Sequence, residues 1–298
     1  GTDSHTTTHG AFGAFATGIG ATEMACVWAT GKLWLKVPET VKVNISGNFK
    51  EFVEPKDLIL NIIGKFKVDG CDYKCVEFLG ETIEKMSLSA KMTLANMSME
   101  MGAKCAYFQP DDKVLNFLGK KAEEVNIFKS DEDCYYSEEY NFEVPKEPQI
   151  ACPHSVDNVK PISEVKGIEI DQALLGSCTN GRIEDLERAA RIMHGKKISK
   201  NIRMIVIPAS YKVYLDAIEV GYIKTFIESG CVIVNPGCGP CLGAHQGLLA
   251  SGEKCISTTN RNFQGRMGSA NSEIYLASPS VVASSALAGY ICSPGDLK

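Results

Sequence analysis

The chain has 298 residues, of which 44% are hydrophobic and 22% charged, and it carries a formal net charge of −5. This composition is typical of a globular protein large enough for more than one core, and it excludes a disordered tail. The charge is spread without a basic run, which argues against nucleic acid as a partner. No apolar stretch approaches the roughly 20 residues of a membrane span, and no signal segment opens the chain. We therefore predict a cytosolic protein without a membrane partner.

The sequence begins at Gly1 with the dense polar motif "GTDSHTTTHG". Nothing before this motif could hold it in place, so we expect that an N-terminal part of the protein lies outside this sequence. Small residues and glycines follow as far as Val37-Pro38, where a boundary is plausible. Residues 1–37 are accordingly interpreted as the remnant of a first domain.

Residues 38–128 are predicted to form a second α/β domain. Its strands are expected in "ETVKVNISG", "KCVEFLG" and "CAYFQ", and its helices in "EPKDLILNIIGKF", "SLSAKMTLANMSMEMGAK" and "DDKVLNFLGKKAEE". Pro55 suits the first turn of the first of these helices, and Ser87 suits the cap of the second. Residues 129–165 are acidic, contain prolines and lack periodicity, which predicts a linker between domains.

Residues 166–298 are predicted to form a third α/β domain. Strands are expected in "IDQALLGSC", "NIRMIVIPAS", "CVIVNPG" and "KCISTTN", and helices in "IEDLERAARIMHG", "YKVYLDAIEVG", "IKTFIESG" and "SPSVVASSALAGY". Strands that alternate with helices indicate a mostly parallel sheet covered on both faces. In such sheets the functional site lies beyond the carboxyl ends of the strands.

Three segments leave the predicted strands of this last domain: "GSCTNG", "PGCGPC" and "TTNRNFQGR". Because parallel strands end at the same edge of a sheet, we expect the chemically active side chains of these segments to converge. The candidates are Cys178, Cys238, Cys241, Asn260, Arg261 and Arg266. The lone Cys-x-x-Cys pair, Cys238 and Cys241, would thereby gain a third thiol partner.

Three kinds of site are compatible with these thiols. Together with His245 they could form a closed structural Cys3His zinc site, and the Cys-x-x-Cys pair alone could be a redox dithiol, which would leave Cys178 unexplained. Three thiolates on a cubane iron–sulfur cluster would leave one iron open to act as a Lewis acid. Cys231 and Cys255 are close enough in sequence to be considered as a fourth ligand. The arginines favour the open-iron interpretation, because guanidinium groups bind carboxylates in pairs of hydrogen bonds.

Five motifs resemble those of the aconitase superfamily, in the same order and over essentially the whole chain. They are "GTDSHT", "NMSMEMGA", "GSCTNGR", "GCGPCLG" and "STTNRNFQGRMG". The resemblance implies aconitase-like α/β/α three-layer domains with mostly parallel sheets. Within the superfamily, the chain most resembles the large subunits of 3-isopropylmalate dehydratases and homoaconitases, in which the last, mobile domain is a separate small subunit.

The resemblance also implies roles for individual residues. Cys178, Cys238 and Cys241 match the ligands of an oxygen-labile [4Fe-4S] cluster, one per large subunit, whose fourth iron binds substrate. The other matches are Asn260 and Arg261 near cluster and substrate, Arg266 on a substrate carboxylate, Ser4 on substrate, Asp3 and His5 in acid/base pairs, Asn96 near the cluster, and Glu100 as the partner of His5. Asn96 and Glu100 are four apart on a predicted helix, so they would share a face, and a carboxylate against His5 would fix its tautomer.

The implied reaction is dehydration of a hydroxy di- or tricarboxylate followed by rehydration at the neighbouring carbon. The His5 and Glu100 pair would give a proton to the departing hydroxide. The base that removes the carbon-bound proton is expected on the small subunit. The leading hypothesis is isomerisation of 2-isopropylmalate to 3-isopropylmalate in leucine biosynthesis. The nearest alternative is a homoaconitase that acts on homocitrate or cis-homoaconitate. An alternative from a different functional class is an iron-sensing, RNA-binding regulator.

Overall fold

The computed structural model describes residues 1–297. These residues contain eleven α-helices and eleven strands. The helices are α1 (Ala21–Thr30), α2 (Pro55–Phe66), α3 (Glu81–Lys85), α4 (Leu88–Met97), α5 (Asp112–Leu118), α6 (Ile162–Val165), α7 (Ser177–Asn180), α8 (Ile183–Met193), α9 (Tyr211–Glu219), α10 (Tyr222–Ser229) and α11 (Pro279–Ala288). The strands are β1 (Thr40–Ser46), β2 (Cys75–Leu79), β3 (Cys105–Tyr107), β4 (Glu138–Glu143), β5 (Gln149–Ala151), β6 (Val159–Pro161), β7 (Gln172–Gly176), β8 (Arg203–Ile207), β9 (Val232–Ile233), β10 (Lys254–Ser257) and β11 (Glu273–Leu276). Short 3-10 helices include Ser4–Phe12, Ser98–Met101 and Gly239–Leu242.

The chain forms two compact units. The first unit contains Gly1–Asn48 and Phe66–Val144, and the second contains Phe49–Lys65 and the described residues from Pro145 onward. This division differs from the predicted boundaries at 37, 128 and 165, because α2 belongs with the second unit and residues 129–165 carry three strands.

The first unit contains a four-stranded sheet in the order β3-β2-β1-β4, with every neighbouring pair parallel. The central strand β1 alternates as its sequence predicts, with Val41, Val43 and Ile45 buried. Strand β4 was not predicted. Its sequence "EEYNFE" alternates between half-buried and exposed residues, as suits a charged edge strand, and it lacks the apolar period of a buried one.

The second unit contains a seven-stranded sheet in the order β6-β5-β11-β10-β7-β8-β9. The five strands from β11 to β9 run parallel, and β5 and β6 add an antiparallel edge. On β7, Ala173 and Leu175 join a core shared with α8, α10 and α11, while Leu174 on the opposite face is also fully buried. The sheet is therefore covered on both faces, which explains why β7 is apolar at nearly every position.

The structure confirms the predicted α/β class with sheets dominated by parallel strands. It also confirms most predicted elements, namely β1–β3, β7–β10, α2, α4, α5 and α8–α11. The predictions missed α1, α3, α6, α7, β4–β6 and β11. Helix α1 has no buried residue, with Trp28 83% exposed, so it lacks the one-sided apolar face on which helix prediction depends. Among residues 1–297, no helix is both long enough and apolar enough to cross a bilayer.

Candidate functional site

The first thiol loop leaves strand β7 through a sharp turn. Gly176 has φ 125°, and a Cβ there would lie 1.9 Å from the carbonyl oxygen of Ile207, so only glycine fits. Ser177 follows with φ 72°, an uncommon conformation for a residue that carries a side chain. The turn leaves Cys178 exposed while the residues on either side of it are buried. The loop thus presents a thiol from an otherwise buried backbone.

A buried arginine holds the backbone of this loop. The Arg182 guanidinium donates to the carbonyl of Cys178 at 2.8 Å and also to the carbonyl of Thr179. Asp185 accepts hydrogen bonds from the Arg182 backbone N–H and from the Asn180 amide, both at 3.0 Å. Burial raises the pKa of Asp185, and the Arg182 guanidinium opposes that rise. The Cys178 loop is therefore fixed through its carbonyl groups.

The Cys-x-x-Cys pair lies in the turn that follows strand β9. Cys238 is exposed, whereas Cys241 is 5% exposed on the 3-10 helix that begins at Gly239. A Cβ at Gly239 would lie 1.9 Å from Nε2 of His245, so the imidazole packs directly against this backbone. In this arrangement His245 supports the turn, as a structural histidine does.

Asn260 joins the two thiol loops. Its Nδ2 donates to Oγ1 of Thr179 at 3.0 Å and lies 3.6 Å from Sγ of Cys178. Its Oδ1 lies 3.9 Å from Sγ of Cys241, within reach of a weak S–H donor. Asn260 itself is 1% exposed and follows β10, the sheet neighbour of β7. One buried amide thus contacts two of the three candidate thiols.

The charges around Cys241 extend this cluster to five of the predicted residues. Burial raises the pKa of the Cys241 thiol, Arg266 lowers it, and Cys178 and Cys238 raise it further. The Arg266 Nε donates to the carbonyl of Cys241 at 3.2 Å. Arg261 follows Asn260 and is half-buried. Within residues 1–297, no three metal-ligating side chains are already gathered at the spacing of a single bound ion.

The first unit contains the second group of predicted residues. Asp3 caps the 3-10 helix Ser4–Phe12 by accepting the His5 N–H at 2.7 Å. On the same residue, Nε2 of the imidazole lies 2.9 Å from Oε1 of Glu100, and both side chains are more than nine-tenths buried. Oδ1 of Asp3 is 3.7 Å from the other ring nitrogen, Nδ1. The structure therefore places the imidazole of His5 against the Glu100 carboxylate, with the Asp3 carboxylate near its other ring nitrogen.

The residues around this pair are arranged around the same 3-10 helix. Asn96 Nδ2 donates to Thr8 Oγ1 at 3.0 Å, and Thr8 Oγ1 donates to the His5 carbonyl at 2.7 Å. Helix α4 ends at Met97, so Asn96 lies on α4 whereas Glu100 lies in the 3-10 turn that follows it. Asn96 and Glu100 therefore contact the 3-10 helix Ser4–Phe12 from separate elements. Ser4 lines a cavity of about 270 Å³ in the first unit.

Sequence reasoning missed the cations that support the thiol loops. Arg182 ends the "GSCTNGR" motif but was not predicted as a site residue. In the structure this arginine is only 7% exposed. Lys56 is fully buried, and its Nζ donates to the carbonyls of Thr258 and Thr259, directly before Asn260. The available signal was the charged stretch "EPKD" directly before the apolar run "LILNII" of α2. Charges that enter a buried helix need partners, and here the partners are loop carbonyls.

Comparison with known proteins assigns the chain to a family. The model of the aconitase family (aconitate hydratase) matches residues 1–168 and 163–289. The chain belongs to the aconitase family. Membership of this family implies an iron–sulfur cluster, and the donors present fit one, since three thiols lie on loops that meet at the Asn260 amide.

Several curated proteins resemble this aconitase-family chain along its whole length. A probable 3-isopropylmalate dehydratase large subunit from Methanothermobacter thermautotrophicus is 53% identical over 100% of this chain and 72% of its own. A probable methanogen homoaconitase large subunit from the same organism is also 53% identical, over 99% of this chain and 69% of its own. A 3-isopropylmalate dehydratase large subunit from Caldicellulosiruptor saccharolyticus is 50% identical over 100% and 70%.

Among solved structures, aconitase X from Thermococcus kodakaraensis in its holo-form matches 76% of this chain and 50% of its own. The sequence identity is 14% and the TM-score is 0.41. Because this TM-score is low, the assignment rests on the family match and on the relatives with about half of their residues identical.

Proposed function

We propose that this chain is the large subunit of a [4Fe-4S] hydro-lyase that converts 2-isopropylmalate to 3-isopropylmalate by dehydration and rehydration. The observation that carries the proposal is the contact of the Asn260 amide with both Cys178 and Cys241, with Cys238 in the same turn as Cys241. The relatives named as 3-isopropylmalate dehydratase large subunits support the substrate.

Cys178, Cys238 and Cys241 would hold the cluster. When bound, a cluster with three thiolate ligands supplies one iron that polarises a substrate hydroxyl as a Lewis acid. The loop backbones suit this task, because Arg182 and Arg266 hold their carbonyls and so fix the positions of the thiols. Exposure of Cys178 and Cys238 would also make a cluster on these loops sensitive to oxygen, which fits a reducing cytosol.

The His5 and Glu100 pair would deliver the proton for the departing hydroxide. The Glu100 carboxylate lies 2.9 Å from Nε2 and Oδ1 of Asp3 lies 3.7 Å from Nδ1, so the pair would orient the imidazole for transfer of a proton to the leaving group. Ser4, whose hydroxyl is 3.4 Å from Nδ1, lines the adjacent cavity and would bind substrate there. Asn96 would keep the 3-10 helix in place through Thr8.

Arg266 and Arg261 would bind substrate carboxylates. Arg266 donates from Nε to the Cys241 carbonyl, and a guanidinium held beside the thiol loops in this way would bind a substrate carboxylate through paired hydrogen bonds. Such a contact orients a hydroxy diacid relative to the thiol loops. The base for the carbon-bound proton is assigned to a separate small subunit, in keeping with the name "large subunit" that the relatives carry.

A homoaconitase is the second candidate, because a relative of that name is equally identical to this chain. The deciding experiment combines the full chain, reconstituted anaerobically with iron and sulfide, with its small subunit and offers 2-isopropylmalate and homocitrate separately. We expect turnover of 2-isopropylmalate with the higher kcat/KM. Turnover of homocitrate alone would contradict the proposal and select the second candidate.

A further inference from the structure

Lys56 is the most completely buried charged side chain next to the thiol loops. It lies in the first turn of α2, and its side chain has no exposed surface. Its Nζ donates to the carbonyl oxygens of Thr258 and Thr259 at 2.9 and 2.6 Å. A lysine ammonium in a protein interior has a high desolvation cost, which only strong partners offset.

The acidic neighbours of Lys56 are themselves fixed in the second unit. Glu54 accepts the Ser280 N–H at 3.0 Å and lies 3.4 Å from an Arg188 nitrogen. Asp57 accepts the backbone N–H groups of Glu54 and Gln149 at 2.7 and 2.9 Å. The start of α2 is therefore anchored independently of Lys56, which gives the ammonium a rigid base from which to hold the loop after β10.

The two carbonyls that Lys56 holds stand immediately before Asn260. Thr258 is also tied to β7, since its hydroxyl accepts the Gly176 N–H at 2.7 Å. The carbonyl of Thr259 has Lys56 as its hydrogen-bond partner at the shorter of the two distances. The peptide that this carbonyl belongs to leads directly into Asn260, whose side-chain amide contacts Cys178 and Cys241.

We propose that Lys56 is a positioning residue for the cluster site: its ammonium fixes the 258–259 carbonyls so that the Asn260 amide stays between the sulfurs of Cys178 and Cys241. The proposal rests on the assignment of these thiols as cluster ligands. Replacement of residues that hold metal ligands in position, without binding the metal themselves, commonly lowers metal affinity or activity by roughly 10- to 100-fold. Lys56 is thus assigned no contact with substrate, and its effect on the site passes through the backbone that leads into Asn260.

The test compares Lys56→Met with Lys91→Met in the full chain. Lys91 is a matched control, because it is 2% exposed and its Nζ lies 2.6 Å from Asp111 in the first unit. In the metal-free chain, we expect Lys56→Met to speed amide hydrogen exchange at residues 259–262 and Lys91→Met to leave it unchanged. After anaerobic reconstitution, we expect Lys56→Met to lose iron in air about 10-fold faster than Lys91→Met. Equal exchange and equal iron loss in the two variants would overturn the proposal.

A second comparison separates positioning from general destabilisation. If Lys56 acts through Asn260, then Lys56→Met should change the rate of iron loss very little in a chain that already carries Asn260→Ala. Additive effects in the double variant would contradict this coupling. Lys56→Gln, which retains a donor, should recover part of the slow hydrogen exchange even if Lys56→Met unfolds. Unaltered protein that takes up no cluster would refute the proposed function, while the exchange measurement would still decide the role of Lys56.

Discussion

The two candidate sites differ in whether their functional side chains already contact one another in the folded chain. In the first unit, His5 and Glu100 are buried and already joined at 2.9 Å. In the second unit, Cys178 and Cys238 are exposed, and the loops that carry them are held through their carbonyls. An imidazole–carboxylate pair satisfies its own hydrogen bonds. The thiol loops are held through their backbone carbonyls and by the Asn260 amide, and we propose that a group from outside the chain completes their site.

The largest expected effect is on the thiol loops. Cys178→Ala or Cys241→Ala should reduce bound iron and acid-labile sulfide to background after anaerobic reconstitution, because a cluster with an open iron has no spare protein ligand. Cys231→Ala and Cys255→Ala are the matched controls, since both thiols are buried and burial raises the pKa of each to about 12. Loss of the cluster in either control would mean that the ligand set is wrong.

The acid pair is expected to affect turnover without affecting the cluster. Glu100→Gln should lower kcat by roughly 10²- to 10⁴-fold, the usual contribution of a positioned acid, with iron content unchanged. Glu77→Gln is the matched control, because Glu77 is also 5% exposed and accepts hydrogen bonds from Ser130 and Tyr136 in the same unit. The measurement is steady-state kinetics with the small subunit present. A loss of iron in Glu100→Gln, or an equal loss of turnover in Glu77→Gln, would contradict this separation of the two sites.

A smaller effect is expected from the substrate side of the thiol site. Arg266→Lys should raise KM by about 10-fold, because an ammonium cannot make the paired hydrogen bonds of a guanidinium to a carboxylate. Arg203→Lys is the control, since Arg203 forms such a pair with Glu253 on another part of the same unit. Substrate-dependence curves for both variants provide the measurement. Unchanged KM in Arg266→Lys would remove this residue from the substrate site.

The elements that the sequence predicted well are those whose burial follows a simple period. Strand β1 alternates and β7 is apolar almost throughout, so both were found, whereas β4 is a charged edge strand with no such pattern. The thiols and the His5 and Glu100 pair were named because their residue types carry chemistry. Lys56 was not named, because the charged stretch before α2 indicates only that its charges need partners, and the partners of Lys56 are loop carbonyls about 200 residues away in sequence.

The smallest effect concerns stability in the second unit. Burial, with the Glu54 charge, raises the pKa of Asp57 from 3.8 to about 8. The folded state therefore holds a proton that the unfolded chain releases near pH 3.8, so this contribution is complete below that pH and is lost as the pH rises through about 8. Asp57→Asn should flatten the decline of the free energy of unfolding, by up to about 1.4 kcal/mol per pH unit.

Urea unfolding at several pH values across this range measures the decline. The exposed Glu219→Gln variant on α9 is the control and should keep the pH dependence of the unaltered chain. An Asp57→Asn variant with the same slope as the unaltered chain would contradict the assignment of this buried proton.

The most direct test of the central claim is metal and sulfide analysis of the chain after anaerobic reconstitution in the presence of both iron with sulfide and zinc. We expect iron and acid-labile sulfide in equal amounts, at the level of one [4Fe-4S] cluster per chain, bound through Cys178, Cys238 and Cys241. Stoichiometric zinc without sulfide would contradict it and restore the structural Cys3His site with His245.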